Sequence, residues 1–185
     1  HERSSAASDV YKRQVLTMKA TTNPAFLVNS SDTSVFILIE GKANFLNANS
    51  FKQFIDKSLS KNYSHYIIDF DHCTGMDSTF LGIIAWLGLQ IKGSESKSHL
   101  IVRNLNKRNK ELFNNLGLQN FISTEESILD TSKKELGKFH ALEEADRFEA
   151  IDILNAHKNL VQARKENASL FKDLISILED KIQSD

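Results

Sequence analysis

A short polar turn, Met76-Asp77-Ser78-Thr79-Phe80-Leu81-Gly82, holds the residues of this chain that are best placed for chemistry. It follows an aliphatic strand and opens an apolar helix, and the carboxyl ends of strands are where α/β folds carry their functional groups. The hydroxyl of Ser78 would lie beside unpaired backbone N–H groups, where the helix dipole tolerates a phosphate. Asp77 or Ser78 can equally be no more than the N-cap of the helix.

The other reactive residue types do not form a recognisable site. Cys73 is expected to be a buried, inert thiol. No two of His65, His72 and His99 are three or four positions apart, so no metal site is predicted. The glycine-rich nucleotide-binding motifs and the G-x-S-x-G motif are absent, and no acid or histidine can be assigned to Ser78 as a base. We therefore expect no enzyme activity, no catalytic residue and no cofactor.

The elements that would position this turn alternate between strand and helix. Apolar, β-branched runs predict strands, and apolar residues spaced three or four apart predict helices. The predicted order is strand 34–39, a helix around 51–59 capped by Asn47 or Asn49, strand 65–70, helix 78–92, strand 98–103, a helix opened by Asn106 and stopped by Gly117, and a short last strand at Phe121-Ile122. This alternation predicts an α/β fold with a mainly parallel or mixed sheet and helices packed on it.

Composition and charge narrow the class of protein. The 185 residues, 41% of them apolar, suffice for one core and a short second unit. The 23 basic and 24 acidic side chains nearly cancel, so no nucleic-acid partner is expected, and no run of residues is apolar enough for membrane insertion. A single cysteine excludes an internal disulfide and fits a cytoplasmic protein.

Charge also divides the chain. Residues 124–185 hold 14 acids against 9 bases, whereas the preceding residues carry a net positive charge. We expect a folded domain at 18–123 and an acidic helical extension at 124–185. Residues 1–17 are expected to be non-native or disordered, because 9–14 read like a translated sequencing adapter and Met18 is a plausible true start.

The region from Ser34 to about Ser123 resembles a STAS domain of the anti-sigma factor antagonist family. Four pieces carry the resemblance in matching order and spacing: Glu40-Gly41-Lys42-Ala43-Asn44, the helix from Phe51 to Leu59, the turn from Met76 to Gly82, and Phe113-Asn114-Asn115-Leu116-Gly117-Leu118.

The resemblance implies a protein-binding module that is switched by phosphorylation. In this family the serine after the turn's aspartate is phosphorylated by an anti-sigma factor with serine kinase activity, a phosphatase restores it, and only the unphosphorylated form captures the kinase. The matching residue is Ser78, where a phosphate of about −1.5 to −2 charges beside Asp77 would repel a docked partner. The implied partner-binding residues are Asn44, Met76, Asp77, Ser78, Thr79, Phe80 and Gly82.

Two positions depart from the family pattern. Phe80 stands where a glycine is usual, which would place a bulky ring where a partner backbone approaches. Asn44 stands where an aspartate is common, which removes a charge. Gly82, Ala85 and Gly88 lie at intervals of three and could pack closely on a partner or on the protein's own sheet.

The extension predicts a helix from Glu143 to Lys165 and a second helix capped by Asn167. The second helix places Phe171, Leu174, Ile175, Leu178 and Ile182 on one face, which is too apolar to remain in water. We expect a helical hairpin packed around Leu154 and Val161, or a homodimer formed through these helices.

Two binding functions remain open. The first is an anti-sigma factor antagonist that regulates transcription in a bacterium. The alternative is a STAS accessory subunit of an ABC-type lipid-transport or other ATPase assembly, and the neighbouring gene would distinguish them.

Overall fold

The computed structural model describes residues 25–95, 97–127 and 137–185. The predictions made for residues 1–17 and for Met18 lie outside the described residues.

A six-stranded mixed sheet forms the centre of the fold, in the order β7-β6-β4-β2-β1-β8. Strands β2, β4, β6 and β7 are parallel, while β1 is antiparallel to both β2 and β8. The strands are β1 (Phe26–Ser30), β2 (Ser34–Ile39), β3 (Gly41–Ala43), β4 (His65–Asp69), β5 (Cys73–Met76), β6 (His99–Arg103), β7 (Ser123–Glu125) and β8 (His140–Ala141). The expected α/β class with a mainly parallel, mixed sheet is confirmed.

The described residues also form five helices and one short 3₁₀ turn, and the last two helices follow the final strand. They are α1 (Ala48–Leu59), α2 (Ser78–Gly93), α3 (Lys107–Asn115), the 3₁₀ turn Leu118–Asn120, α4 (Ala150–Ala163) and α5 (Asn167–Ser184). No helix in the described ranges combines the length and apolarity needed to cross a membrane.

The helix boundaries follow the sequence signals with some corrections. Asn106 caps α3 by accepting a hydrogen bond from Asn109 N at 2.8 Å, as predicted. Gly117 adopts the left-handed conformation with φ 79°, which glycine favours after a helix. At α1 the cap position is Asn47, whereas the side chain of Asn49 donates to a distant backbone carbonyl.

The predicted last strand is displaced along the chain. The strand begins at Ser123, and Phe121-Ile122 precede it and pack toward α2 instead. Ile122 is buried, so its apolar character reflects the core behind the sheet rather than a place in the ladder.

The C-terminal extension folds as a helical hairpin of α4 and α5. The hairpin was one of two expectations for these helices, the other being a homodimer. Helix α4 starts at Ala150 rather than Glu143, and Glu149 and Asp152 form a capping box there. Asn167 is the first residue of α5 and not its cap, because its side chain turns back toward other backbone carbonyls.

Helix α2 is buried on nearly every side. One face packs on the sheet, and α4 covers the opposite face in the most extensive contact between any two described elements. A helix between two layers must be apolar all round, and the run from Leu81 to Leu89 is. The extension is therefore a third layer of the fold, placed over the helix that Ser78 opens.

Candidate functional site

The small two-stranded sheet of β3 and β5 positions the turn before α2. These strands are parallel, and Ala43 pairs with Met76 at their carboxyl ends. The backbone N–H of Asp77 donates to the carbonyl of Ala43 at 3.2 Å. The loop that begins at Asn44 is thereby held against the start of α2.

Asp77 is the N-cap of α2 and also a bridge to the neighbouring loop. One carboxylate oxygen accepts a hydrogen bond from Phe80 N at 2.9 Å, and the other accepts one from Phe45 N at 2.9 Å. A single carboxylate therefore satisfies one orphan N–H of the helix and fixes the loop after β3. Of the two candidates for the N-cap, Asp77 and Ser78, the structure shows Asp77 in that role.

Asn44 organises that loop through its own side chain and backbone. Its Oδ1 accepts a hydrogen bond from Leu46 N at 3.0 Å, and its carbonyl accepts one from Ala48 N at 2.9 Å. Phe45 and Leu46 are left exposed beside it. The structure therefore brings Asn44, Met76 and Asp77 together near Ser78, at one end of the molecule.

Three residues of the expected partner-binding set, Thr79, Phe80 and Gly82, lie in the interior. Thr79 is 4% exposed and Phe80 is fully buried. The Phe80 ring contacts the rings of Phe26, Phe51 and Phe70, with centroid separations of 5.7, 4.9 and 6.4 Å. The expectation of a bulky ring facing a partner is corrected, because this aromatic cluster draws the ring into the core.

Ser78 lies at the first position of α2, and its hydroxyl meets a histidine from the extension. Its Oγ is 2.9 Å from Nε2 of His157, whose Nδ1 is 2.8 Å from the carbonyl oxygen of Ile153. A carbonyl can only accept, so Nδ1 carries a proton, and the ring and the hydroxyl of Ser78 share a hydrogen bond through Nε2. The sequence-based view that Ser78 has no histidine partner is therefore wrong.

The imidazole of His157 is enclosed by the fold. It is 1% exposed, and its ring lies edge-on to that of Phe171 on α5, with the centroids 4.9 Å apart. The buried ring thus lies between Ser78 at the start of α2 and Phe171 on α5. The pair therefore closes a helix interface in this conformation.

Gly82, one turn further along α2, is where α4 approaches most closely. A Cβ at this position would overlap the backbone of Ala156 and lie 2.9 Å from its Cα. The carbonyl of Gly82 also accepts a hydrogen bond from Asn159 Nδ2 at 3.3 Å. The expected neighbours of this small residue were a partner or the protein's own sheet, and the structure places the C-terminal extension there instead.

The far end of α4 is fixed by polar contacts to the end of α3. Arg164 donates to the carbonyl of Asn115 at 2.9 Å, and its side chain covers Gly117. Asn167 donates to the carbonyls of Leu116 and Leu160, at 3.0 and 2.8 Å. Polar contacts therefore hold α4 at its middle, through His157 and Asn159, and at its C-terminal end.

Sequence reasoning missed His157, although two signals point to it. The unbroken apolar run of α2 demands a cover on its outer face. Leu154, His157 and Leu160 are spaced by three on the predicted helix of the extension, and a histidine on an apolar stripe needs a buried polar partner.

Cys73 lies in β5 below the turn and is buried. Burial raises the pKa of its thiol, and hydrogen bonds, the first of them to the backbone of Gly75, oppose that shift. Its carbonyl accepts hydrogen bonds from Asn106 and Asn109, both at 3.2 Å. Within the described ranges, no three His, Cys, Asp or Glu side chains converge as a metal site would require.

The fold and this turn define an α/β domain with a serine at a helix N-terminus. Comparison with known families shows which family this domain belongs to. The STAS domain family model matches residues 25–131, more than half of the chain. The protein belongs to the STAS domain family. No curated relative matches the sequence.

Several solved structures resemble the chain at low identity. The anti-sigma factor antagonist SpoIIAA in its unphosphorylated form is 18% identical to this chain, with a TM-score of 0.46. The match covers 60% of this chain and 93% of the SpoIIAA chain. The phosphorylated form of Bacillus SpoIIAA is 15% identical over 61% of this chain and all of its own, with a TM-score of 0.49. An anti-sigma factor antagonist from Mycobacterium paratuberculosis is 18% identical over 62% of this chain and 94% of its own, with a TM-score of 0.47.

Proposed function

We propose that this STAS protein is an anti-sigma factor antagonist of the cytoplasm, with no enzyme activity of its own. In its unphosphorylated form it captures an anti-sigma factor that has serine kinase activity. Phosphorylation of Ser78 ends that capture, and a phosphatase restores it. The observation that carries this proposal is the placement of Ser78 at the first position of α2, directly after the capping Asp77.

The geometry of the turn supports Ser78 rather than Thr79 as the phosphoacceptor. Ser78 is partly exposed at the helix start, whereas Thr79 is 4% exposed and faces inward. The position also suits an anion, since the first backbone N–H groups of a helix and its dipole favour negative charge.

The surroundings of Ser78 support an electrostatic switch. The Asp77 carboxylate is held by two backbone N–H groups and adjoins the serine in the chain. A phosphate would therefore join an existing negative charge at the surface bounded by Asn44, Phe45 and Leu46. The exposed Phe45 and Leu46 side chains offer apolar contact area to a partner on this surface.

The experiment is incubation of the full chain and ATP with each anti-sigma factor of the kinase type from the same genome, followed by mapping of the modified residue by mass spectrometry. We expect phosphate on Ser78 alone and none on the Ser78→Ala variant. Ser60→Ala is the matched control, because Ser60 is an exposed serine at the C-terminal end of α1. This variant should be phosphorylated like the parent.

Phosphate on Thr79, or none on the chain, would overturn the proposed role of Ser78. Capture of a transport ATPase in place of a kinase would favour the alternative function of an accessory subunit.

A further inference from the structure

The extension lies directly on the proposed phosphoacceptor. The hydroxyl of Ser78 is occupied by a hydrogen bond to His157, and one turn on, the backbone of α4 touches Gly82. A kinase must reach this hydroxyl, and a partner that docks along α2 must reach Gly82. Both are covered while α4 is seated.

We propose that α4 is an autoinhibitory cover of Ser78, so that seating of α4 and phosphorylation of Ser78 exclude each other. This inference rests on the proposed function, because it takes Ser78 as the phosphoacceptor. A 2.9 Å separation between Oγ and Nε2 leaves no room between them for phosphorus and three further oxygens. The added charge beside Asp77 also has to stay hydrated, which a seated α4 prevents on its side.

The connection before α4 would allow α4 and α5 to move away from α2 together. Strand β8 and Leu142 are tied to β1, where Leu142 N donates to the carbonyl of Phe26 at 3.0 Å. Residues 143–149 then run without regular structure to the start of α4. Rotation in this segment, together with release of the Arg164 and Asn167 contacts to the end of α3, would free the hairpin and leave the sheet intact.

Helix α4 also carries its own stabilising contacts away from α2. The capping box of Glu149 and Asp152 satisfies its first N–H groups, with Glu149 N donating to Asp152 at 2.9 Å. Helix α5 packs along it, and Lys158 pairs with Glu179 at 3.3 Å across the hairpin. The hairpin therefore has the contacts to remain helical when it leaves α2.

The test installs phosphoserine at position 78 of the full chain by amber-codon incorporation, so no kinase is needed. Hydrogen exchange of residues 150–163 is compared with that of the unmodified chain. We expect exchange in α4 to accelerate by about tenfold or more. Phosphoserine at Ser60, which is exposed and remote from α4, is the matched control and should leave the exchange unchanged.

A second measurement separates lifting of α4 from loss of the whole fold. The Ser78→Cys variant is alkylated with iodoacetamide, and the buried Cys73 serves as an internal monitor of global unfolding. Adding Ala156→Leu, which wedges α4 away from Gly82, should speed alkylation at position 78 by about tenfold with Cys73 still protected. Asn155→Leu, the neighbouring exposed position, should not.

Unchanged or slower exchange of α4 in the phosphoserine chain would overturn the inference, as would alkylation of Cys73 in parallel with position 78 in the second experiment. A kinase that fails to modify Ser78 would remove the proposed function alone, because the coupling between phosphoserine and α4 is measured without it.

Discussion

Oγ of Ser78 and Nε2 of His157 lie 2.9 Å apart across 79 positions of sequence. This hydrogen bond joins the start of α2, where the proposed phosphoacceptor lies, to a helix of the C-terminal extension. Ser78 is thus partly covered by helix α4 of the C-terminal extension. We therefore expect phosphorylation of Ser78 and the position of α4 to depend on each other.

The Ser78 and His157 pair should contribute measurable coupling to stability. In a double-mutant cycle of Ser78→Ala and His157→Leu, followed by urea unfolding, we expect a coupling free energy of about 0.5–1.5 kcal/mol. Pairing Ser78→Ala with Asn155→Leu, on the exposed face of α4, is the control and should give additive effects. Additivity in both cycles would show that the hydrogen bond is not formed in solution.

Gly82→Ala should destabilise the protein by about 1–3 kcal/mol, because the added methyl group overlaps the backbone of Ala156 and forces α4 outward. Gly93→Ala is the matched control at the end of the same helix, where nothing lies within 4 Å of the new Cβ. That variant should be neutral or slightly stabilising. Equal effects of the two substitutions in denaturant unfolding would argue against close packing of α4 on α2.

Asp77→Ala should lower the free energy of unfolding by about 0.5–2 kcal/mol through loss of the N-cap. It should also remove hydrogen-exchange protection from the Phe45 amide, which donates to the same carboxylate. Asn106→Ala removes a comparable cap from α3 and should leave the Phe45 amide protected. Protection of Phe45 that survives Asp77→Ala would contradict the bridging role.

Cys73 should react slowly with iodoacetamide in the folded chain, because burial both shields the thiol and raises its pKa. A raised pKa means less thiolate at a given pH, so the rate near pH 8 should fall well below that of a free thiol and increase as the pH rises. The chain unfolded in urea is the control and should react at the rate of an ordinary cysteine. A native rate equal to the unfolded rate would contradict the buried position.

Most of the fold could be predicted because its signals are local. The parallel strands and the helices between them follow from apolar period and capping residues, as at Asn106 and Gly117. Strand β1 was missed, although Phe26-Leu27-Val28 and the polar turn before β2 have the form of a hairpin. Strands β3, β5 and β8 are too short to show a period, and tertiary pairing alone defines them.

Only the part of the candidate site that lies in one short segment could be predicted from the sequence. That part is the turn from Met76 to Ser78, which residue types and its position after a strand indicate. The inward rotation of Phe80 and the seating of α4 depend on contacts between distant segments, which no short pattern specifies. His157 shows this limit, because its partner Ser78 becomes visible only when both helices are in place.

The switch at Ser78 is tested most directly by the affinity of the full chain for the anti-sigma factor kinase that phosphorylates it, measured by titration calorimetry. We expect Ser78→Ala to bind like the unphosphorylated chain and phosphoserine at position 78 to weaken binding by about 100-fold or more, because its charge adds to that of Asp77 and repels the partner. Ser60→Ala is the control and should bind like the parent. Equal affinity of the phosphorylated and unphosphorylated chains would contradict the claim that Ser78 is the switch.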